Sequence, residues 1–378
     1  MKYMGSKRAM LANGLGKLLM AETEKAERFA DLFVGSGAVA WYIAENTRCR
    51  VLAADLQLFA VSLAEAVISR KRAVEPESVR KQWFLEAQER IRGSQLYREA
   101  EDFDKTTWER ARRRNVAYAR EICGASRRSI TRAYGGHYFS PKQALTLDAL
   151  RSAVPTDSAQ RTVALAALIC AASECAAAPG HTAQPFQPTR KAARFLFEAW
   201  RRDVFAHVRA ALERICPKFA LSTGRGMVSD AEGAADRLQA GDVAFLDPPY
   251  SGVHYSRFYH VLETIARGTP TEIEGVGRYP PPKERPRSEF SIKSTSENAL
   301  DRLLAKLAEK GVRTIVTFPE EETSNGLSGS VVERIAKKYF RTSKVVVNGR
   351  FSTLGGNSKN RKARIPAYEI ILTLAPLD

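Results

Sequence analysis

Short apolar runs, each ended by glycine, proline or an acidic residue, alternate along the chain with stretches of helical periodicity. Such runs predict strands that are buried on both faces of a parallel sheet. The helical stretches between them predict crossover helices, so the expected fold class is α/β, a Rossmann-like sheet with helices on both faces. The predicted strands are 29–34, 50–54, 218–221, 227–229, 243–246, 312–318, 344–347 and 368–374.

Helical periodicity fills most of the remaining chain. Residues 70–132 are polar, densely basic and without a strong strand, which predicts a mainly helical insertion. Two stretches, 268–296 and 349–364, are rich in glycine and basic residues and predict long loops. The predicted helices are 38–45, 56–68, 142–153, 160–177, 190–215, 300–309 and 331–340.

These patterns divide the chain into a catalytic domain that is interrupted by inserted sequence. Residues 1–68 and 215–378 carry the strands and form the predicted catalytic domain. Residues 69–140 form the helical insertion, the expected target-recognition region. Residues 141–214 are interpreted as a helical cover over the sheet.

The sequence Asp247-Pro248-Pro249-Tyr250 follows the apolar run 243–246. The two prolines end the strand and hold Asp247 in an extended conformation, at the edge of the sheet where α/β folds bind ligands. Two acceptors, the Asp247 carboxylate and the Pro248 carbonyl, could take both N–H bonds of an exocyclic amine and localise its lone pair. Tyr250 could stack on the base. The motif therefore favours methylation of a base amine, although Asp-Pro also occurs in plain turns.

A second motif lies near the start of the predicted sheet. Phe33 precedes a turn that contains Gly35 and Gly37, and Asp55 ends the next strand about 20 residues later, where ribose hydroxyls are bound in dinucleotide folds. The glycine spacing fits neither NAD enzymes nor a P-loop. This favours an adenosine ligand without a pyrophosphate, such as S-adenosylmethionine. Asp230 could face its adenine ring or cap the following helix.

The charge balance points to a polyanionic partner. The 378 residues have a net charge of +17, which favours nucleic acid over a membrane surface. Several arginines of the insertion are interleaved with aromatic residues and are candidates for phosphate contacts, a solvated helical face being the alternative. These candidates are Arg112, Arg113, Arg114, Arg127, Arg128 and Arg132.

Cysteine and histidine spacing offers no metal site. The five cysteines form no C-x-x-C pair and the five histidines show no ligand spacing, so we expect no metal and a reducing cytoplasm. His254 and His260, near the central motif, are expected to make supporting hydrogen bonds. No uncharged apolar run reaches about 18 residues, and no signal peptide is evident, so no membrane partner is expected.

Together these motifs resemble the Dam-type family of DNA adenine-specific methyltransferases. Asp247-Pro248-Pro249-Tyr250 matches its catalytic motif, the segment 33–37 its cofactor loop, and the segment 2–7 its N-terminal Lys-aromatic-x-Gly-x-Lys motif. The resemblance implies that Tyr3 and Lys7 line the S-adenosylmethionine site and that Asp247 serves both cofactor and base. It also implies methylation of adenine N6 in double-stranded DNA. The enzyme would be bacterial or phage-encoded, cytoplasmic and nucleoid-associated, with a cognate restriction or defence component as a possible partner.

The sequence departs from the family pattern at a few places. Tyr3 stands where the family often has tryptophan, and two segments, 69–140 and 256–296, compete as the element that recognises bases. Ribosomal RNA is an alternative substrate because the same motif serves RNA adenine methylation. A catalytically silent nucleic-acid-binding module is a second alternative. Cytosine N4 methylation is disfavoured, since that chemistry more often has serine in place of Asp247.

Overall fold

One mixed sheet organises the structure, a computed structural model that describes residues 7–94, 96–98, 112–269, 272–352 and 364–377. Within these residues seven strands are ordered β3-β2-β1-β4-β5-β7-β6. The neighbouring strands β3, β2, β1, β4 and β5 are parallel, and β7 runs antiparallel to both β5 and β6. The predicted Rossmann-like α/β fold is confirmed. The strands are β1 (Arg28–Asp31), β2 (Arg50–Asp55), β3 (Arg225–Val228), β4 (Val243–Leu246), β5 (Arg313–Pro319), β6 (Phe340–Ser352) and β7 (Arg364–Pro376).

The described residues belong to two compact units. The sheet unit contains residues 7–71, 219–255 and 286–377, and the helical unit contains residues 72–218 and 256–285. The predicted boundaries differ from these units: 256–285 was placed in the catalytic domain and 69–140 was divided from 141–214, whereas 72–218 and 256–285 lie in one unit. The assignment of a catalytic domain, an insertion and a helical cover stays a prediction. The role of the helical unit in target recognition stays a prediction.

The sheet unit buries its central strands on both faces. All four residues of β4 are buried, as expected for a continuous apolar run in a parallel sheet. Leu246, Val316 and Ile370 of three neighbouring strands share one core with Leu304 and Ile335 from covering helices. Burial of side chains of this size contributes about 1.5–3 kcal/mol each. The helices of this unit are Arg8–Met10, Leu11–Leu15 (a π-turn), Gly16–Thr23, Ala38–Asn46, Leu58–Ile68, Ala231–Ala235, Glu289–Ser291 (3₁₀), Ser296–Glu309 and Gly329–Ala336.

Side-chain N-caps mark where two helices of the helical unit begin. Ser140 and Gln143 form a capping box that begins the helix Pro141–Ser152. Asp203 accepts a hydrogen bond from the Ala206 N–H and begins a new helix, so the single helix predicted over 190–215 is two helices. The helices are Pro76–Arg92, Arg112–Gly124, Ser129–Tyr134, Pro141–Ser152, Ser158–Cys175, Ala193–Trp200, Val204–Ile215, Tyr255–Arg267 and Pro282–Glu284 (3₁₀).

Four strand predictions need correction. β1 ends at Asp31, because the chain turns through residues 32–37 with Gly35 and Gly37 at positive φ. Residues 218–221 are a loop whose Ala220 N–H bonds to the Arg70 carbonyl. β6 and β7 extend into the predicted loop 349–364, of which residues 353–363 lie outside the described part of the chain.

Candidate active site

The carboxyl ends of three neighbouring strands each carry an aspartate. Asp31 ends β1, Asp55 ends β2 and Asp247 follows β4 directly. The strands are parallel and adjacent, so these ends meet at one edge of the sheet. Two of these aspartates, Asp55 and Asp247, were predicted as site residues. Asp31 was missed, although an acidic residue that ends an apolar run was the signal used for the other two.

The Asp247 side chain is fixed through one oxygen. Its Oδ1 lies 3.0 Å from Lys7 Nζ and accepts a hydrogen bond of 3.1 Å from Thr317 Oγ1 of β5. The side chain is 15% exposed. Burial raises its pKa to about 6, with Lys7 lowering it and Glu369 raising it. At neutral pH Asp247 is therefore a carboxylate with a fixed orientation.

Lys7 is the centre of a buried charge cluster. Its Nζ donates to Glu369 Oε2 at 2.8 Å as well as contacting Asp247, and it lies 5.9 Å from the centre of the Tyr250 ring. Burial alone would lower the Lys7 pKa, but Asp247 and Glu369 together raise it above its usual value. The predicted site residue Lys7 thus contacts the motif directly. Glu369 was missed; its signal was a single acid within the apolar run of β7.

The backbone of the motif is held from a loop that follows β5. Asn325 is fully buried and its Nδ2 donates to the Pro249 carbonyl at 2.7 Å and to the Phe290 carbonyl at 2.9 Å. Ser324 Oγ accepts from the Gly252 N–H at 2.8 Å. Asn325 and Ser324 therefore fix the backbone on the carboxyl side of the motif, at Pro249 and Gly252.

Tyr250 is half-buried and packs against the core of the sheet unit. Its neighbour Tyr255 hydrogen-bonds to it. Burial, then the proximity of Tyr250 and Asp247, raises the Tyr255 pKa well above its usual value, so Tyr255 stays a neutral donor. Tyr250 therefore lies between the Lys7 ammonium and the Tyr255 hydroxyl.

The glycine turn and Asp55 form one hydrogen-bonded unit. Asp55 Oδ2 accepts from the Gly35 N–H at 3.0 Å, and its Oδ1 accepts from the Gln57 N–H at 3.0 Å. Gly35 and Gly37 have φ of 48° and 75°, in the left-handed region that favours glycine. Phe33 is half-buried and meets Phe290 edge to face at 5.1 Å.

Asp31 is an ionisable group with an unusual environment. It is 2% exposed. Burial, then the neighbouring Asp247, raises its pKa to about 8. Asp31 is therefore mainly protonated at pH 7, and a cation bound at this edge of the sheet would favour its ionised form.

Tyr3 and Asp230 are the remaining residues predicted to bind the cofactor. Tyr3 lies outside the described residues. Asp230 is exposed, and its Oδ1 accepts from the Gly233 N–H at 2.7 Å, so it caps the helix Ala231–Ala235. Its alternative contact with an adenine ring stays a prediction.

The predicted phosphate-binding arginines lie on the helical unit. Arg113, Arg114, Arg127 and Arg132 are exposed, and Arg112 is the first residue of its helix. Arg128 differs, since its Nη2 donates to the Arg90 carbonyl at 2.9 Å and the side chain is half-buried. Four of these side chains are thus accessible to a polyanion.

Metal clusters and membrane-spanning helices are both absent from the described ranges. These residues contain no group of three or more histidine, cysteine, aspartate or glutamate side chains that could hold a metal ion. None of their helices is long and apolar enough to cross a membrane. His254 Nδ1 accepts from the Ser288 N–H at 3.3 Å, the supporting role expected for it.

Comparison with known proteins identifies the family to which this chain belongs. The D12 class N6 adenine-specific DNA methyltransferase family matches residues 3–315, so the chain belongs to that family. This confirms the resemblance derived from the motifs. By its description, this family methylates adenine N6 in DNA.

A curated relative gives a more particular comparison. The chain is 24% identical over 307 residues to Modification methylase LlaI of Lactococcus lactis subsp. lactis. The match covers 79% of this chain but 43% of the relative, so the chain spans less than half the length of that protein.

Proposed function

We propose that the protein transfers a methyl group from S-adenosylmethionine to the N6 amino group of adenine in double-stranded DNA. The observation that supports this most strongly is Asp247, a buried carboxylate held through Oδ1 by Lys7 and Thr317 directly before Pro248. In this arrangement Oδ2 and the Pro248 carbonyl accept the two amine hydrogens. The nitrogen lone pair is then localised and directed away from the ring.

Tyr250 and the cluster around it would handle the base itself. The target adenine must leave the duplex to reach the motif, as enzymes that act on a base require. Its ring stacks on Tyr250, an interaction worth about 1–3 kcal/mol. Positive charge develops on N6 during transfer, and the adjacent Asp247 carboxylate stabilises it without reorganising.

The residues at this edge of the sheet fit S-adenosylmethionine. A ligand with a sulfonium and an ammonium group suits the carboxyl groups of Asp31 and Asp247, because the raised pKa of each is relieved by a nearby cation. Asp55 accepts ribose hydroxyls, and the turn that contains Gly35 and Gly37 allows close backbone approach. Phe33, Lys7 and the remaining candidates, Tyr3 and Asp230, complete the proposed site. When bound, the cofactor would supply the methyl group and leave as the neutral thioether S-adenosylhomocysteine, while N6 would release one proton.

DNA phosphates would be bound by the helical unit. Exposed arginines supply affinity that does not depend on sequence, and they fix the orientation of a duplex. The name of the relative, a modification methylase, supports a further proposal that a restriction component with the same recognition sequence accompanies this protein.

Nucleoside mass spectrometry tests the proposed function. Purified protein is incubated with S-adenosylmethionine and, in separate reactions, duplex DNA of mixed sequence, single-stranded DNA and ribosomal RNA. We expect N6-methyladenine in duplex DNA and none when the cofactor is omitted. Product in RNA alone would contradict the proposal that duplex DNA is the substrate. Cofactor binding without product from any nucleic acid would contradict the proposal that the protein is a methyltransferase.

A further inference from the structure

The Lys7 ammonium lies between two carboxylates, of which one belongs to the Asp-Pro-Pro-Tyr motif. Its Nζ is 3.0 Å from Asp247 Oδ1 and 2.8 Å from Glu369 Oε2. The Lys7 and Glu369 side chains are 5% and 10% exposed. One positive charge is therefore shared by two negative charges where water screens them little.

Glu369 occupies an unusual place for a carboxylate. It lies in β7 beside the buried residues Ile370 and Ile371 and pairs in register with Pro319 of β5. A charge buried in a sheet is costly unless it is paired. Lys7 compensates this cost, but an apolar residue would avoid it altogether, so stability alone does not account for an acid here.

We infer that Glu369 is a positioning residue for methyl transfer: it holds Lys7 and shares its charge, so that Asp247 keeps its strength as an acceptor for the adenine amine. This inference rests on the proposed function of Asp247. Glu369 itself acts on the reaction through Lys7.

The charge balance of the cluster gives the physical reason. Lys7, Asp247 and Glu369 together carry a charge of about −1 when all three are ionised. Without Glu369 the ammonium would pair with Asp247 alone, and the pair would be neutral. A carboxylate neutralised in this way accepts hydrogen bonds from a substrate amine less strongly.

The surrounding groups allow the effect to be measured as a titration. The titratable groups that interact with Asp247 are Lys7, Glu369, Asp31 and Tyr255, and Tyr250 lies beside Lys7 and Tyr255. Glu369 raises the Asp247 pKa and Lys7 lowers it. Removing the Glu369 charge should therefore move the titration of Asp247 to lower pH, whereas a Glu369 charge without influence on Asp247 would leave that titration in place.

The test uses Glu369→Gln, which keeps the shape and an acceptor for Lys7, beside Glu369→Asp, which keeps the charge. Cofactor-free protein labelled with ¹³C at aspartate carboxyls is titrated by NMR, and the Asp247 signal is assigned by its loss in Asp247→Asn. We expect Glu369→Gln to lower the Asp247 pKa by about one unit. We also expect kcat to fall about tenfold with an unchanged KM for DNA.

Glu369→Asp should restore the wild-type titration. Asp301→Asn is the matched control, because Asp301 forms an ion pair with Lys338 in the same unit, and it should change neither quantity. If Glu369→Gln titrates and turns over like the wild type, the inference is overturned. If wild-type protein methylates no DNA, the proposed function fails instead, while the NMR titration still decides whether Glu369 controls the charge of Asp247.

Discussion

The two units of the molecule use charged residues in opposite ways. In the sheet unit the buried Lys7 ammonium lies 3.0 Å from Asp247 and 2.8 Å from Glu369. In the helical unit the predicted phosphate-binding arginines are mostly exposed. A buried charge is stable in one geometry with specific partners, whereas an exposed charge acts over a distance and is screened by salt. The first arrangement suits chemistry at one atom, and the second suits attraction of a polyanion.

The helical unit also contains arginines that are used structurally. Arg120 Nε donates to the Gly136 carbonyl at 3.1 Å, and Arg278 Nε donates to the Ala133 carbonyl at 2.7 Å. These guanidinium groups hold backbone turns together. Arginines of the same unit therefore divide into those expected to bind DNA and those expected to stabilise the fold.

Turnover should depend steeply on pH. Asp247 must be ionised to accept the amine hydrogens, and its pKa is raised to about 6. As the pH falls below 6 the carboxyl becomes protonated, so kcat should fall about tenfold per pH unit. Steady-state rates at saturating DNA and cofactor between pH 8 and 4.5 measure this, with DNA affinity at each pH as the control. A flat profile would show that the buried cluster does not govern the chemistry.

The Asp55→Ala variant tests whether Asp55 belongs to the cofactor site. Asp55 accepts the Gly35 and Gln57 N–H groups and is the proposed ribose ligand. Its loss should weaken S-adenosylmethionine binding about 10- to 100-fold, since hydrogen bonds to a charged group contribute about 1.5–3 kcal/mol. Isothermal titration calorimetry measures the change, with Asp301→Asn as the control. Unchanged affinity would remove Asp55 from the cofactor site.

Replacement of exposed arginines in the helical unit tests whether these side chains bind DNA phosphates. Arg113, Arg114, Arg127 and Arg132 are changed together to glutamine. The slope of log K against log salt for DNA binding should decrease by about 0.9 for each phosphate that these side chains no longer neutralise. Arg120→Gln should leave the slope unchanged and lower the melting temperature, because its guanidinium binds the backbone. An unchanged slope in the quadruple variant would make these arginines a solvated surface.

The smallest expected effect concerns stability. The Asp31 pKa is raised from about 3.9 in an unfolded chain to about 8 in the fold. The folded protein therefore holds a proton between these pH values that the unfolded chain has lost, so this group makes the protein less stable as the pH rises. Asp31→Asn should be more stable than the wild type by about 1 kcal/mol or more at pH 8.5 and should lose that advantage near pH 4. Urea unfolding without cofactor at both pH values measures this, and an equal difference at both would contradict it.

The parts of the site that were predictable are those encoded locally. Asp55 and Asp247 each follow an apolar run, and the turn at Gly35 lies directly between a strand and a helix. These signals require no knowledge of distant contacts. Asp31 gave the same local signal and was predictable in principle.

The residues that hold Lys7 and the Asp-Pro-Pro-Tyr motif in place could not be predicted from local sequence patterns. Glu369 lies 362 positions from Lys7, and Asn325 lies 76 positions from Pro249, so only the folded sheet brings each pair together. Thr317 likewise reaches Asp247 because β5 and β4 are neighbours. The break in the helix predicted over 190–215 depended on a single cap, Asp203, within a continuous helical pattern.

The most direct test of the central claim is methyl transfer by Asp247→Ala. The account predicts that formation of N6-methyladenine in duplex DNA falls more than about 100-fold, because the amine is no longer held in position. DNA affinity should remain within about twofold of the wild type, since the phosphate contacts are made elsewhere. Retained turnover in a folded Asp247→Ala protein would contradict the assignment of the buried cluster as the active site.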